Sequence, residues 1–310
     1  MFGSHLSVSG GYHKALAAAE SLGLDTVQIF TQAPAQWNLK PVVQPVVVQN
    51  DIKNQQQWAA PPLVDENVAK WKAECDRLKF AHTVSHDSYL INLASQDAAL
   101  WAKSIDAFAE ELRRCVVLGI PYLVTHPGAH LGSGEDVGLA RVAEALDEVH
   151  GRLPAGESGP GGGPATITCL EITAGQGTSL GYKLEHLATI IEKVKAPERL
   201  AVCLDTAHLF AAGYDFRGKK YAAFRKQIVA TVGLDRVRVL HLNDSKKDLG
   251  SRVDRHDHIG RGTIGLDGFR PIVRDEAFAN VPKILETAKG KDEQGREWDA
   301  VNVEVLKGLM

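Results

Sequence analysis

The sequence predicts an α/β protein built as an eight-stranded parallel (β/α)8 barrel. Short apolar runs alternate with helix-length segments about eight times along 310 residues, and such a barrel needs about 250 residues plus insertions. The ends of these runs carry a succession of histidines and carboxylates: His86, His126, Glu171, Asp205, His241 and Glu286, with His208, Asp254 and His256 close behind. Side chains at the C-terminal ends of barrel strands share one cavity, so residues far apart in sequence converge there. No G-x-G-x-x-G follows the first strand, which weighs against an open doubly wound sheet.

Each element has its own justification. The first strand is FGSHLSV from Phe2, followed by KALAAAESLG, rich in helix formers and closed by Gly23 as a C-cap. The second is TVQIFT from Thr26. After it, from about Val42 to Pro62, prolines and glutamines replace any helical period. This reads as an insert on the active face, where loops carry function. HTVSH from His82 is the third strand. The helix AALWAKSIDAFAEELRRCVVLG has apolar residues at three-to-four spacing and stops at Gly119, before Pro121. YLVTHP from Tyr122 is the fourth strand and TITCLEI from Thr166 the fifth. Between them LPAGESGPGGGP, residues 153–164, predicts a flexible loop on the opposite face. LAVCLDT from Leu200, VRVLHLND from Val237 and PKILET from Pro282 complete the set. Several of these runs are apolar at nearly every position, as strands buried on both faces must be. A single domain spanning 1–310 is expected.

Composition narrows the classes. Hydrophobic residues make up 44%, enough for a packed core. No apolar stretch approaches the roughly 18 residues that span a membrane. The start, MFGSHLSVSGG, lacks a basic and apolar leader, so a cytoplasmic location is expected. Cys75, Cys115, Cys169 and Cys203 form no C-x-x-C pair, which argues for reduced structural thiols rather than a cysteine metal site. The net charge of −3 weighs against a nucleic-acid partner. Divalent cations on Glu171, Asp205, Asp254 and Glu286 would reverse that sign locally and admit a phosphate.

Nine ligand-type residues are too many for one ion and suit two or three. Imidazole with carboxylate favours zinc and also accepts manganese or iron. Two such ions can activate a water and stabilise in-line displacement at phosphorus, with Glu171 as the natural bridge. Simpler roles exist for each residue: Asp205 and Asp254 as caps, the Leu-Asn-Asp after His241 as a turn. Their regular placement at strand ends favours ligation. His5 is expected beside the site, and His130 either orients a ligand or has no role there; His13, His82, His150, His186 and His258 are expected to be structural or solvated.

The motifs HDSYLINL, HPGAH, EITAGQG, CLDTAH, AAGYD, HLNDSK, GSRVDRH and ILET together resemble the endonuclease IV family of zinc-dependent apurinic/apyrimidinic endonucleases. The resemblance runs along nearly the whole chain. It implies a xylose-isomerase-like TIM barrel that acts on duplex DNA containing abasic sites; the sequence does not encode an oligomeric state, and a monomer is the default expectation. The family cleaves the phosphodiester 5′ to the lesion, leaving a 3′-hydroxyl and a 5′-deoxyribose phosphate. The resemblance further implies three zinc ions. His86, His126 and Glu171 would hold the first, Glu171, Asp205, His241 and Glu286 the second, and His208, Asp254 and His256 the third. Glu171 and Glu286 would be the catalytic carboxylates, and a hydroxide shared by the first two ions the nucleophile. Tyr89 and Arg252 match DNA-facing positions.

The family's pattern F-T-K-N-x-x-Q-W after the second strand often carries an arginine that enters the base stack. Here FTQAPAQW puts Ala35 at that position, and KNQQQW puts Gln56 there. Ile172 stands where an asparagine commonly follows the bridging glutamate, and Arg261 turns the usual G-E-G into G-R-G. Two rival functions remain in view. A one-metal sugar isomerase or epimerase on the same barrel gives no job to His208 or to the Asp254–His256 pair. A non-catalytic DNA-binding module needs a basic face, and no strong Lys/Arg cluster is present.

Overall fold

In a computed structural model, the structure describes residues 1–32, 63–153 and 166–310. The expected insert at 42–62, with Gln56, and all of the glycine-rich stretch beyond Leu153 lie outside the described residues. The chain begins with β1 (Phe2–His5), α1 (Tyr12–Ser21) and β2 (Thr26–Phe30), then α2 (Asp65–Leu78) and β3 (Val84–His86). It continues through α3 (Ala98–Leu118), β4 (Tyr122–Thr125), α4 (Glu135–Arg152), β5 (Ile167–Glu171) and α5 (Leu184–Lys193). Next come β6 (Leu200–Asp205), α6 (Thr206–Ala212), α7 (Tyr221–Thr231) and β7 (Val237–His241). Two-residue strands β8 (Asp244–Ser245) and β9 (His256–Asp257) precede α8 (Leu266–Arg274), β10 (Lys283–Leu285) and α9 (Trp298–Gly308).

Eight strands close into a barrel in the order β1-β10-β7-β6-β5-β4-β3-β2, every neighbour parallel. Each strand predicted from the sequence is present. The helices pack outside, where a continuous apolar core lies between them and the strands. Capping follows the sequence: Asp97 accepts from Leu100 N–H at the start of α3, and Gly119 ends it in the left-handed region at φ 73°.

The barrel interior holds a second, smaller apolar cluster of Val84, Val124, Cys169, Ala201, Cys203, Val239 and Ile284. Six of these stand two residues before His86, His126, Glu171, Asp205, His241 and Glu286. A period of two keeps both members of each pair on one strand face. The apolar layer is therefore the floor, and the histidines and carboxylates form the layer above it. Cys203 belongs to that floor; burial pushes its thiol up to about 12, so it stays neutral. All four cysteines are free. Among the described residues no helix is long and apolar enough to cross a membrane.

Candidate metal centre

All nine predicted residues are brought to the C-terminal mouth of the barrel. Their ligand atoms fall into overlapping groups within 4.8 Å: His86, His126 and Glu171; Glu171, Asp205, His241 and Glu286; and Asp205, His208 and His256. Asp254 reaches the third group with both oxygens, Oδ2 lying 3.1 Å from His208 Nε2 and Oδ1 3.2 Å from His256 Nε2. Glu171 is the hub. Its Oε2 is 3.1 Å from His86 Nε2, and its Oε1 is 3.1 Å from His241 Nδ1. Asp205 serves in two ways. Oδ1 caps α6 by accepting from His208 N–H at 2.8 Å, and Oδ2 lies 3.8 Å from His256 Nε2. One oxygen thus caps the helix while the other faces the cluster, where it could serve a metal.

Main-chain carbonyls orient several rings. His86 Nδ1 lies 2.9 Å from the carbonyl of Asp87, and His208 Nδ1 lies 2.9 Å from that of Ile172. A carbonyl only accepts, so these Nδ1 atoms carry the hydrogen and leave Nε2 free for a ligand. The third ring, His256, faces the Glu286 carbonyl through Nδ1 at 3.4 Å.

Electrostatics ties the cluster together. Burial opposes the ionisation of Glu171, but His241 and His126 override it and hold its carboxyl well below the usual range. Glu286 is likewise held low by His241 against its burial. Burial also disfavours charging the imidazoles, yet Glu171 raises His86 to about 9, and Asp205 with Asp254 raises His256 to about 9. His208 and His241 are raised well above the ordinary value by the same carboxylates and, at His241, by Cys203 as well. Four carboxylates therefore face four imidazoles that hold their protons. Cations entering the site displace those protons.

The donor set fits divalent metal. The nine predicted residues offer nitrogen and oxygen, which suit zinc, manganese and iron; Cys203 Sγ also lies within 4.8 Å of the Glu171 and His241 ligand atoms, but as a neutral thiol it is a weak donor. His126 Nε2 and His256 Nε2 are buried without a well-aligned hydrogen bond, their nearest acceptors being carboxylate oxygens of Glu171 at 3.4 Å and Asp254 at 3.2 Å. Such poorly paired atoms are costly unless something else binds them. Beside the cluster a cleft of about 490 Å³ is lined by Tyr89, Asn92, His126, Gln176, His208 and Asp254, among others.

A family model described as a xylose isomerase-like TIM barrel matches residues 16–307. A probable endonuclease 4 of Chloroflexus aggregans is 48% identical over 310 residues, covering 100% of this chain and 97% of that protein. One from Geobacter sulfurreducens is 43% identical over 309 residues, covering 99% and 94%. The crystal structure of endonuclease IV from Thermus thermophilus superposes with a TM-score of 0.78 at 32% identity, covering 99% of this chain and 98% of that one. The chain belongs to the endonuclease IV family. It is a hydrolase of that nuclease type. A D-tagatose 3-epimerase-like protein shares the barrel at a TM-score of 0.66, but at 16% identity that likeness concerns fold alone.

Two departures from the endonuclease IV pattern have a structural explanation. At Ile172 the site uses the backbone carbonyl, which any residue supplies, while the side chain is fully buried. At Arg261, the turn is held by its neighbours. Asp244 accepts from the backbone N–H groups of Ser245, Gly260 and Ile264, so the turn makes no demand on the side chain at 261. Arg261 lies over Trp298 at 5.1 Å and 3.7 Å from Glu293, away from the metal cluster.

The predicted DNA-facing residues are less gathered. Tyr89 is 64% exposed, with its ring 5.7 Å from that of His86. Arg252 adopts the left-handed region at φ 53°, and its guanidinium sits 4.5 Å over Tyr182. His5 does border the site, 3.6 Å from Glu286. His130 instead organises its own loop, its Nδ1 accepting from Gly132 and Gly134 N–H. His82, His186 and His258 pack or pair elsewhere. Sequence reasoning passed over Gln28 and Asn243. Asn243 donates to Asp205 Oδ2 at 2.6 Å and accepts from Glu286 N–H at 2.8 Å. A polar residue inside the apolar run TVQIF was the available signal for Gln28.

Proposed function

We propose that this protein is a DNA-repair endonuclease that hydrolyses the phosphodiester 5′ to abasic sites in duplex DNA, holding three zinc ions. The convergence of nine ligand-type side chains into three groups, joined by Glu171 and Asp205, supports this most directly. A one-metal isomerase leaves His208, Asp254 and His256 without work. Endonuclease IV relatives aligned over the full chain support the same class.

His86, His126 and Glu171 hold the first ion, Glu171, Asp205, His241 and Glu286 the second, and His208, Asp254 and His256 the third. Bound ions of this kind activate a water and offset charge on a phosphodiester in the transition state. Glu171 would be shared between the first two ions and Glu286 would hold the second, and the imidazoles keep both carboxylates ionised against their desolvation. The cleft beside the cluster receives the base-free sugar. Tyr89, exposed at its rim, packs against the lesion, and Arg252, presented on Tyr182, contacts backbone phosphate. Manganese or iron can substitute, because the nitrogen and oxygen donors accept them.

The test is metal content of the purified chain by mass spectrometry, with incision of a duplex carrying one abasic-site analogue. About three zinc per chain are expected. Incision should vanish after prolonged chelation and in Glu171→Gln, which weakens the shared bridge. One ion or none, without incision, would return the isomerase.

A further inference from the structure

In His86 and His208 a main-chain carbonyl meets Nδ1 and leaves Nε2 for a ligand, although His208 Nδ1 also lies 3.1 Å from Glu171 Oε1. His241 is inverted. Its Nδ1 faces the cluster, 3.1 Å from both Glu171 Oε1 and Glu286 Oε2. Its Nε2 points away and meets a side chain, Gln28 Oε1, at 2.8 Å. The same amide reaches a second ligand: Gln28 Nε2 donates to Glu286 Oε1 at 2.6 Å and lies 2.9 Å from His5 Nδ1. Gln28 is fully buried, on β2 in register with Val84 and His5.

The orientation of this amide follows from its partners. An ionised carboxylate only accepts, so the NH₂ end must face Glu286. The carbonyl end must then face His241 Nε2, which has to carry the hydrogen. With Nε2 so occupied, Nδ1 is the nitrogen that gives up its proton to a cation, on the side shared with Glu171 and Glu286. A flipped amide would set its oxygen against the Glu286 carboxylate. Where carbonyls orient a ring, any residue can supply the backbone; at His241 the orientation depends on the identity of one side chain.

We infer that Gln28 is a positioning residue for the second ion, setting the tautomer of His241 and the placement of Glu286 through its two ends. The inference rests on the metal reading proposed above. Outer partners of this kind typically change metal affinity by about 10–100-fold when removed.

Gln28→Met keeps an unbranched chain of similar length and removes both hydrogen bonds. Zinc affinity of the full-length chain, without DNA, is measured by competition with a chromophoric chelator. One binding step should weaken by about 10–100-fold while the others hold. Long-range ¹H–¹⁵N spectra of the zinc-loaded wild type give a readout that needs no folded variant. They should show one ligand imidazole bound through Nδ1 with its hydrogen on Nε2, assigned to His241 by its loss in His241→Gln. Equal affinity in Gln28→Met, or a His241 bound through Nε2, would overturn the inference. A wild type that takes up no zinc would overturn the metal reading beneath it, and with it this role.

Discussion

At the scale of single residues, ionisable groups divide by whether burial is answered. Glu171 is fully buried and Glu286 largely so, yet both keep their charge because imidazoles surround them. His150, near the end of α4, is buried with both ring nitrogens unpartnered. Burial, helped by the nearby Arg199, pushes it down to about 4. Below its ordinary value of 6.5 the unfolded chain takes up a proton that the folded chain refuses until about pH 4. Stability from this residue is thus present at neutral pH and lost as pH falls through that window, by up to about 3 kcal/mol. Denaturant titrations at pH 7 and 4.5 should show a smaller acid loss in His150→Leu than in wild type. Identical losses would remove His150 from the acid sensitivity.

At the scale of elements, the ribbon β8–β9 carries His256 to the mouth, and its geometry depends on a turn with no room to spare. A Cβ on Gly262 would lie 2.4 Å from the Ser245 carbonyl oxygen and 2.5 Å from Asp244 Oδ1. Backbone cannot rotate away as a long side chain can, so Gly262→Ala must move the turn or the ribbon. A loss of about 1–3 kcal/mol is expected. Gly151, inside α4, has nothing within 4 Å of the same atom. Gly151→Ala should raise stability by about 0.4–1 kcal/mol, since it only restricts the unfolded chain. Urea midpoints of the two variants should move in opposite directions; a shared direction would show that the space around these glycines does not govern their effect.

At the scale of the molecule, the barrel rests on its outer apolar core and on the apolar floor beneath the candidate metal centre, neither of which needs an ion. In their absence, carboxylates and protonated imidazoles neutralise one another. Chelated protein should therefore keep its far-ultraviolet circular dichroism at 25 °C, unlike small domains that unfold without metal. Ions that bind only the folded state still add to stability, about 4 kcal/mol for a site at a thousandfold excess over its dissociation constant. Calorimetry should show the melting temperature fall by several degrees on chelation and return with zinc. An unchanged melting temperature would mean that the centre binds no ion tightly.

The sequence by itself determined the eight strands, the ring of histidines and carboxylates at their ends, and the family. Each of these is a local signal: an apolar run, a histidine or carboxylate at its end, a motif of adjacent residues. Period-two alternation even places Cys169 beneath Glu171 and Cys203 beneath Asp205 without coordinates. Only the tertiary structure decided how the ligands are served. Gln28 meets His241 across 213 positions of chain, and the Ile172 carbonyl orients His208 across 36. Such contacts leave no mark on local pattern, because barrel closure, not sequence proximity, makes those residues neighbours. The division of Asp205 between cap and ligand was open for a similar reason: two oxygens of one carboxylate acquire separate tasks only when α6 and the facing strands are in place.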